Sequence, residues 1–272
     1  RTVQIATEHG ATVRHVGYQG KGNVVRAMFR EVDADYLIMV DGDDTYPAEQ
    51  VHDLLRPLEE DRCDMVVGDR LSNGSYAEEN SRQFHGFGND LVRWLVNHLY
   101  GVRVNDVMTG YRGFNRTFAK TYPVIAEGFE IETEMTIHCV DKHWRLLEAP
   151  IDYRDRPEGS FSKLNTFSDG IKVLKTIGSL FKDYKPLAFF SIVGLVLLVV
   201  GLIFGITVIA DYATTGLVAR FPTAILAVGL VLCGLLSVSC GFILDTVVKG
   251  SRKQYELDVQ RWIELESGKP RP

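Results

Sequence analysis

An α/β fold followed by a pair of bilayer-crossing helices is predicted by three features of this 272-residue sequence. Strand-like apolar runs alternate with amphipathic helical stretches through the front of the chain. One run, Tyr36-Leu37-Ile38-Met39-Val40, ends abruptly in Asp41, Asp43 and Asp44, as a buried strand delivering carboxylates to a site would. Residues 187–210 and 221–244 are uncharged, and each stretch is long enough to span a hydrocarbon core.

The elements follow in order. Arg1-Thr2-Val3-Gln4-Ile5-Ala6 reads as the middle of a helix ending at His9-Gly10, so a fragment lacking its natural start is expected. Ala11-Thr12-Val13-Arg14-His15-Val16 alternates like a half-buried strand. Lys21-Gly22-Asn23 starts an amphipathic helix reaching about Arg30. After the strand Tyr36 to Val40 and its acidic turn, Pro47 introduces a helix with Val51, Leu54, Leu55 and Leu58 on one face. Met65-Val66-Val67-Gly68 reads as another strand, 71–80 as a polar loop, 84–100 as a helix and 148–154 as a final strand. Strands alternating with helices imply parallel pairing, with ligands in the crevice beyond the strands' carboxyl ends, where Asp41 to Asp44 fall.

A turn-rich, cationic loop, 156–163, comes next. Phe167, Ile171, Leu174, Ile177, Leu180 and Phe181 then recur at helical spacing among lysines, the pattern of helices lying in a membrane interface. Lys172, Lys175, Lys182 and Lys185 precede the first span, and Lys249, Arg252 and Lys253 follow the second. The loop between the spans has Arg220 as its only cation. This bias puts both ends on the cytoplasmic side.

Composition excludes other classes. The net charge is −5 with basic residues scattered, so the cationic stripe of a nucleic-acid binder is missing. Cys63, Cys139, Cys233 and Cys240 show no C-x-x-C spacing, which indicates neither a zinc site nor a disulfide framework. His85, His138 and His143 have no ligand-like spacing and read as core or surface residues.

Asp41 and Asp43, two positions apart at a strand end, suit a hard cation that bridges diphosphate oxygens. The same carboxylates could instead cap the following helix. Asp41-Gly42-Asp43-Asp44-Thr45-Tyr46-Pro47, preceded by Gly20-Lys21-Gly22, resembles the inverting family-two glycosyltransferases of the GT-A fold. More narrowly, Val67-Gly68-Asp69-Arg70, Asp106-Val107-Met108-Thr109-Gly110-Tyr111-Arg112 and residues 156–163 are similar to polyprenyl-phosphate glycosyltransferases of the dolichol-phosphate mannose synthase type, bacterial branch. That family's first strand and its base-cradling acidic turn are missing here, in keeping with an amino-terminal truncation.

The resemblance implies a GT-A (Rossmann-like) nucleotide-sugar domain over 1–165, juxtamembrane helices over 166–186, transmembrane helices over 187–210 and 221–245, and a cytoplasmic tail over 246–272. It implies that Asp41 and Asp43 engage the donor and Mg²⁺ or Mn²⁺, and that Lys21 lies near the nucleotide phosphates; Lys21 also reads as a solvated helix-start residue. Arg70, Arg112, Arg156 and Lys163 match positions that gather positive charge for an acceptor phosphate. Asp106 matches the catalytic carboxylate. A polyprenyl phosphate is already largely dianionic at neutral pH, with a second pKa of about 6. Asp106 is therefore expected to orient cations or acceptor more than to abstract a proton. Glu130, Glu132 and Glu134 form an alternating acidic set, sharing one face on a strand or, on a helix, making neighbours of Glu130 and Glu134. Glu132 is the expected donor-sugar contact.

The implied activity is inverting transfer of a hexosyl unit to undecaprenyl phosphate or a similar lipid on the cytoplasmic face of the cell membrane. UDP-glucose or a UDP-N-acetylhexosamine is the favoured donor, with GDP-mannose behind. The lipid-linked product would be handed to a flippase and an extracytoplasmic glycosyltransferase, and the resemblance also allows for a homo-oligomer. A processive polysaccharide synthase is disfavoured, because Arg261-Trp262 follows the second span and Asp258 stands where that family has Gln. An inactive membrane scaffold is disfavoured by the intact Asp41, Asp43 and cationic set.

Overall fold

The computed structural model describes residues 1–72, 83–154, 175 and 178–268, with the backbone alone for 83–89. The chain forms two units, Arg1–Val173 and Leu174–Pro272.

In the first unit the described strands are β1 (Tyr36–Met39), β2 (Met65–Asp69), β3 (Arg112–Asn115) and β4 (Leu146–Pro150), in the sheet order β1-β3-β2-β4. The described helices are α1 (Thr2–Glu8), α2 (Lys21–Glu31), α3 (Val51–Glu59, entered through a 3-10 turn at Ala48–Gln50), α4 (Gln83–Tyr100), α5 (Arg116–Thr121) and α6 (Ile131–Asp141).

Strand alternation sorts side chains between two helical layers. On one face Leu37, Met39, Met65, Val67 and Phe114 pack against Val25 and Phe29 of α2, Phe118 of α5 and Ile131, Met135 and Cys139 of α6. On the other face Ile38 and Val66 meet Leu54 and Leu58 of α3, with Tyr46, Tyr111 and Ile151. The i, i+4 spacing of Val25/Phe29, Leu54/Leu58 and Ile131/Met135 is what gives each helix one buried stripe. Central β2 is buried along its whole length, so its sequence as far as Gly68 is a continuous apolar run and not an alternation.

Three expectations change. The sheet is mixed, with only β2 and β4 parallel; β3 inserts between β1 and β2 and runs antiparallel to both. Arg112-Gly113-Phe114-Asn115 was not foreseen as a strand because a buried Arg and a Gly hide its pattern. No strand forms over 11–16, where the alternation lacks burial: Val13 and Val16 are only half-buried and no described strand pairs with them. The final strand starts two residues earlier than expected and stops at Pro150. The insertion of β3 has a functional consequence. Its register pairs Arg112 with both Met39 and Val67, so the segment leading into β3 reaches the sheet edge where β1 and β2 end.

In the second unit residues 178–184 are helical, followed by α7 (Pro186–Thr215) and α8 (Phe221–Ser267). Proline begins each long helix where its missing N–H costs nothing, and Gly216 ends α7 in the left-handed conformation at φ 71°. Arg220 closes the turn on Asp211 at 3.1 Å. At 1.5 Å per residue the 30-residue α7 is about 45 Å long and the 47-residue α8 about 70 Å. Both are long and apolar enough to cross a membrane.

The two helices approach closely through small residues. A Cβ on Gly194 would fall 2.8 Å from Gly234 O, one on Gly234 would fall 2.9 Å from Gly194 O, and Ser237 Oγ donates to Phe190 O at 2.9 Å. The tail expected from residue 246 is the uninterrupted continuation of α8 as far as Ser267. Arg252 Nη2 donates from it to Tyr184 O at 3.2 Å. Most of the expected juxtamembrane stretch, 166–174 and 176–177, lies outside the described residues.

Candidate active site

The site is built where β1 and β2 end and the chain enters β3. Past β1 the acidic turn bends sharply, with Asp44 in left-handed backbone at φ 59°, a conformation that Asp tolerates. Asp43 Oδ1 accepts from Thr45 Oγ1 at 2.7 Å and Thr45 N at 3.4 Å. Neither the 3-10 turn nor α3 takes a side-chain capping bond, so these carboxylates do not serve as helix caps.

Lys21, the first residue of α2, places its ammonium 2.5 Å from Asp41 Oδ1 and 2.6 Å from Glu132 Oε1. Burial alone would lower the Lys21 pKa, but the charges of Glu132 and Asp41 outweigh it and hold the group above the ordinary lysine range. Burial pushes the Glu132 carboxyl upward, with Lys21 and then Arg112 pulling it back. Lys21 is thus ion-paired to both carboxylates and largely buried, not a solvated helix start.

The acidic set 130/132/134 is the beginning of a helix, and only Glu132 faces Lys21. Glu130 Oε1 accepts from Gly128 N at 3.0 Å, and Glu134 Oε2 accepts from Ala126 N at 2.7 Å, holding the loop before α6. Gly22 N donates to Glu127 O of that loop at 3.0 Å. A Cβ at Gly22 would collide with the backbone of Ala126, so glycine is what lets α2 dock there.

A second charged group lies at the end of β2. Asp106, with no exposed surface, grips Arg70 with both oxygens: Nε to Oδ2 at 2.6 Å and Nη2 to Oδ1 at 3.0 Å. The Arg70 guanidinium also lies over the Tyr153 ring, 5.3 Å from its centre. Glu148 of β4 accepts from the amides of Asn105 at 2.7 Å and Asp106 at 3.0 Å, fixing the approach to Asp106. Burial raises the Glu148 pKa, and those two amide bonds oppose the rise.

Arg112 departs from its expected place among the phosphate-binding cations. It is fully buried, and its guanidinium donates to Thr109 O at 3.0 Å, Val107 O at 2.7 Å and Thr136 Oγ1 at 2.9 Å. With no exposed surface it has none to offer a phosphate; it locks the 107–109 loop onto α6. Burial lowers its pKa, while Glu132 and Asp106 favour its charged form. Arg156 and Lys163 lie outside the described residues.

Asp106 to Gly110 joins the two charged groups. At its far end Gly110 lies so close to the Asp41 carboxylate and the Lys21 ammonium that a Cβ there would overlap Asp41 Oδ2 and fall 2.8 Å from Lys21 Nζ. Among the described residues no three His, Cys, Asp or Glu gather as a metal cage. Asp41 and Asp43 supply oxygen donors of the type that Mg²⁺ or Mn²⁺ takes, and such an ion needs only one or two carboxylates, with phosphate and water completing its shell. Sequence reasoning missed Tyr46, Glu148 and Glu130/Glu134 as supports. Tyr46 lies inside the acidic motif 41–47, but nothing in the spacing marks its hydroxyl.

A mixed sheet thus lies between helical layers, with carboxylates past the end of β1 and an Arg–Asp pair past the end of β2. Residues 1–122 match the profile of Glycosyl transferase family 2. Over 140 residues the chain is 46% identical to an uncharacterized protein of Shigella flexneri, covering 52% of this chain and 86% of that one. It is 28% identical over 257 residues to glycosyltransferase AglJ of Haloferax volcanii, covering 93% of this chain and 82% of the relative. It is 32% identical over 177 residues to a dolichyl-phosphate hexose transferase of the same organism, covering 65% and 75%. Among solved structures, glucosyl-3-phosphoglycerate synthase from Mycobacterium tuberculosis in complex with Mn²⁺, UDP and glucosyl-3-phosphoglycerate superposes with TM-score 0.50 at 19% identity, over 66% of this chain and 63% of that chain, a likeness of fold. The chain belongs to glycosyl transferase family 2 and is a glycosyltransferase.

Proposed function

We propose that this glycosyltransferase moves a hexosyl unit, with inversion, from a nucleotide diphosphate sugar to polyprenyl phosphate at the cytoplasmic face of a membrane. The observation that carries the reading is one short segment, Asp106 to Gly110, flanked by two differently built charged groups. Lys21, Asp41 and Glu132 stand on its Gly110 side, and Arg70 with Asp106 on the other. The first group suits a diphosphate and its cation, the second an anionic acceptor.

Asp41 and Asp43 would hold the divalent cation, which when bound supplies charge neutralisation at the leaving diphosphate. Lys21 offers an ammonium to the phosphates, kept charged by Glu132 and Asp41. Asp106 holds the Nε/Nη2 edge of Arg70, which leaves the Nη1/Nη2 edge to face the acceptor phosphate. Because the acceptor oxygen is already anionic, Asp106 serves as an orienting carboxylate more than as a base. Arg156 and Lys163 are proposed as further acceptor-phosphate cations, and α7 and α8 as spans with both ends cytoplasmic. In support, one relative is named for hexose transfer to dolichyl phosphate, and the superposed synthase holds UDP with Mn²⁺.

The test is incubation of membranes containing the full-length protein with undecaprenyl phosphate and labelled UDP-glucose, UDP-N-acetylglucosamine or GDP-mannose, with and without Mn²⁺ or Mg²⁺. A metal-dependent lipid-linked sugar from one donor is expected and names that donor. Intact nucleotide binding with no lipid product from any of the three would refute the reading.

A further inference from the structure

Tyr46 has no part in the chemistry described so far, yet its hydroxyl stands where the two charged groups meet. The side chain is 5% exposed. Its oxygen accepts the Gly110 amide at 2.9 Å, lies 3.4 Å from Thr109 Oγ1 and lies 3.5 Å from Arg70 Nη1. Its ring is set by Tyr111 and Tyr153, with centroids 5.4 Å and 5.6 Å away. The residue follows the acidic turn directly, so one rigid ring rooted beside Asp43 ends against both the Asp106–Gly110 segment and the guanidinium that Asp106 holds. Gly110, whose amide it fixes, is the residue that abuts Asp41 and Lys21.

We propose that Tyr46 is a positioning residue that sets the spacing between the donor carboxylates and the Arg70–Asp106 pair, a role that rests on the transfer reaction proposed above. A hydroxyl held by a buried amide costs little to keep in place and much to lose, because its removal leaves that amide without its acceptor. Misplacement of reacting groups by a fraction of an ångström lowers turnover more than binding.

The variant is Tyr46→Phe, which keeps the ring and removes only the oxygen. In the full-length protein kcat for lipid-linked product is expected to fall roughly ten- to fifty-fold, with donor KM within about twofold of wild type. The thermal midpoint is expected to fall by about 2–6 °C, and amide exchange in 107–111 to quicken at least about tenfold. An unchanged kcat, or a loss carried entirely by donor KM, overturns the proposal. If the wild-type protein makes no lipid product at all, the functional reading fails separately. Exchange in 107–111 then decides for Tyr46, and equal protection in wild type and variant overturns the positioning role.

Discussion

Asp106 and Arg70 form a two-pronged ion pair, with Nε–Oδ2 at 2.6 Å and Nη2–Oδ1 at 3.0 Å, on a carboxylate with no exposed surface. An arginine held this way has its plane fixed before any ligand arrives, which is what recognition of a tetrahedral anion requires. Asp106→Asn keeps the shape but turns one acceptor into a donor facing the guanidinium. The expected result is a loss of about 3 kcal/mol in stability and at least about a hundredfold in turnover. Turnover untouched at saturating acceptor would remove Asp106 from the mechanism.

Two glycines give opposite predictions from similar crowding. A Cβ at Gly110 meets the ends of the Asp41 and Lys21 side chains, which can swing aside, whereas a Cβ at Gly22 meets the backbone of Ala126, which cannot. Gly110→Ala is therefore expected to fold with a near-normal melting temperature and to lose nucleotide affinity at least about tenfold. Gly22→Ala is expected to lose about 2 kcal/mol or more of stability. Calorimetric melting with nucleotide titration on both variants checks the contrast; equal melting temperatures would contradict it.

Acid sensitivity should trace to His138 of α6. Burial, reinforced by Lys142, pushes its pKa down from 6.5 to about 3. A depressed histidine contributes stability that is complete above pH 6.5 and is lost as pH falls toward 3, at about 1.4 kcal/mol per unit. The raised carboxyls of Glu134 and Glu148 act with the other sign, losing their contribution as pH rises above the ordinary range. Comparison with His138→Leu removes that background. Between pH 6.5 and 5 the wild type should lose about 2 kcal/mol relative to the variant. Parallel stability curves for the two proteins would show that His138 does not titrate as its burial demands.

In the hairpin, Gly194→Val is expected to part α7 from α8, because its Cβ would sit 2.7 Å from Val238 Cγ2 and 2.8 Å from Gly234 O. Gly229→Ala, with nothing within 4 Å of its Cβ, should be neutral. A melting temperature in detergent that drops for the first and holds for the second checks this. The expected cost is about 1–3 kcal/mol.

What the sequence revealed and what it hid divide along physical lines. Tyr36–Met39 and Met65–Asp69 were legible because buried strands make unbroken apolar runs, and α2 and α3 because one face of each is apolar. Arg112–Asn115 was hidden: a fully buried arginine reads as surface, yet its donors go to Thr109, Val107 and Thr136. Without that strand the alternation of strands and helices read as parallel pairing, and Arg112 stood among the ligand cations only on the family resemblance. Asp41, Asp43, Asp106 and Arg70 were singled out by motif, and the structure pairs Arg70 with Asp106 and Asp41 with Lys21. Which of Glu130, Glu132 and Glu134 faces Lys21 needed the helix phase at Ile131–Asp141, and Tyr46 and Glu148 needed coordinates because they act through backbone amides far away in sequence.

On the proposed function, one site holds a donor half at Asp41–Asp43 and an acceptor half at Arg70–Asp106. Steady-state transfer by wild type, Asp43→Asn and Arg70→Lys in membranes, varying donor and polyprenyl phosphate separately, tests it directly. Asp43→Asn is expected to raise donor KM or abolish metal-dependent nucleotide binding with little effect on acceptor KM, and Arg70→Lys to raise acceptor KM with little effect on donor KM. If both variants shift the same KM, or if Arg70→Lys leaves acceptor KM and turnover unchanged, the division of the site is contradicted.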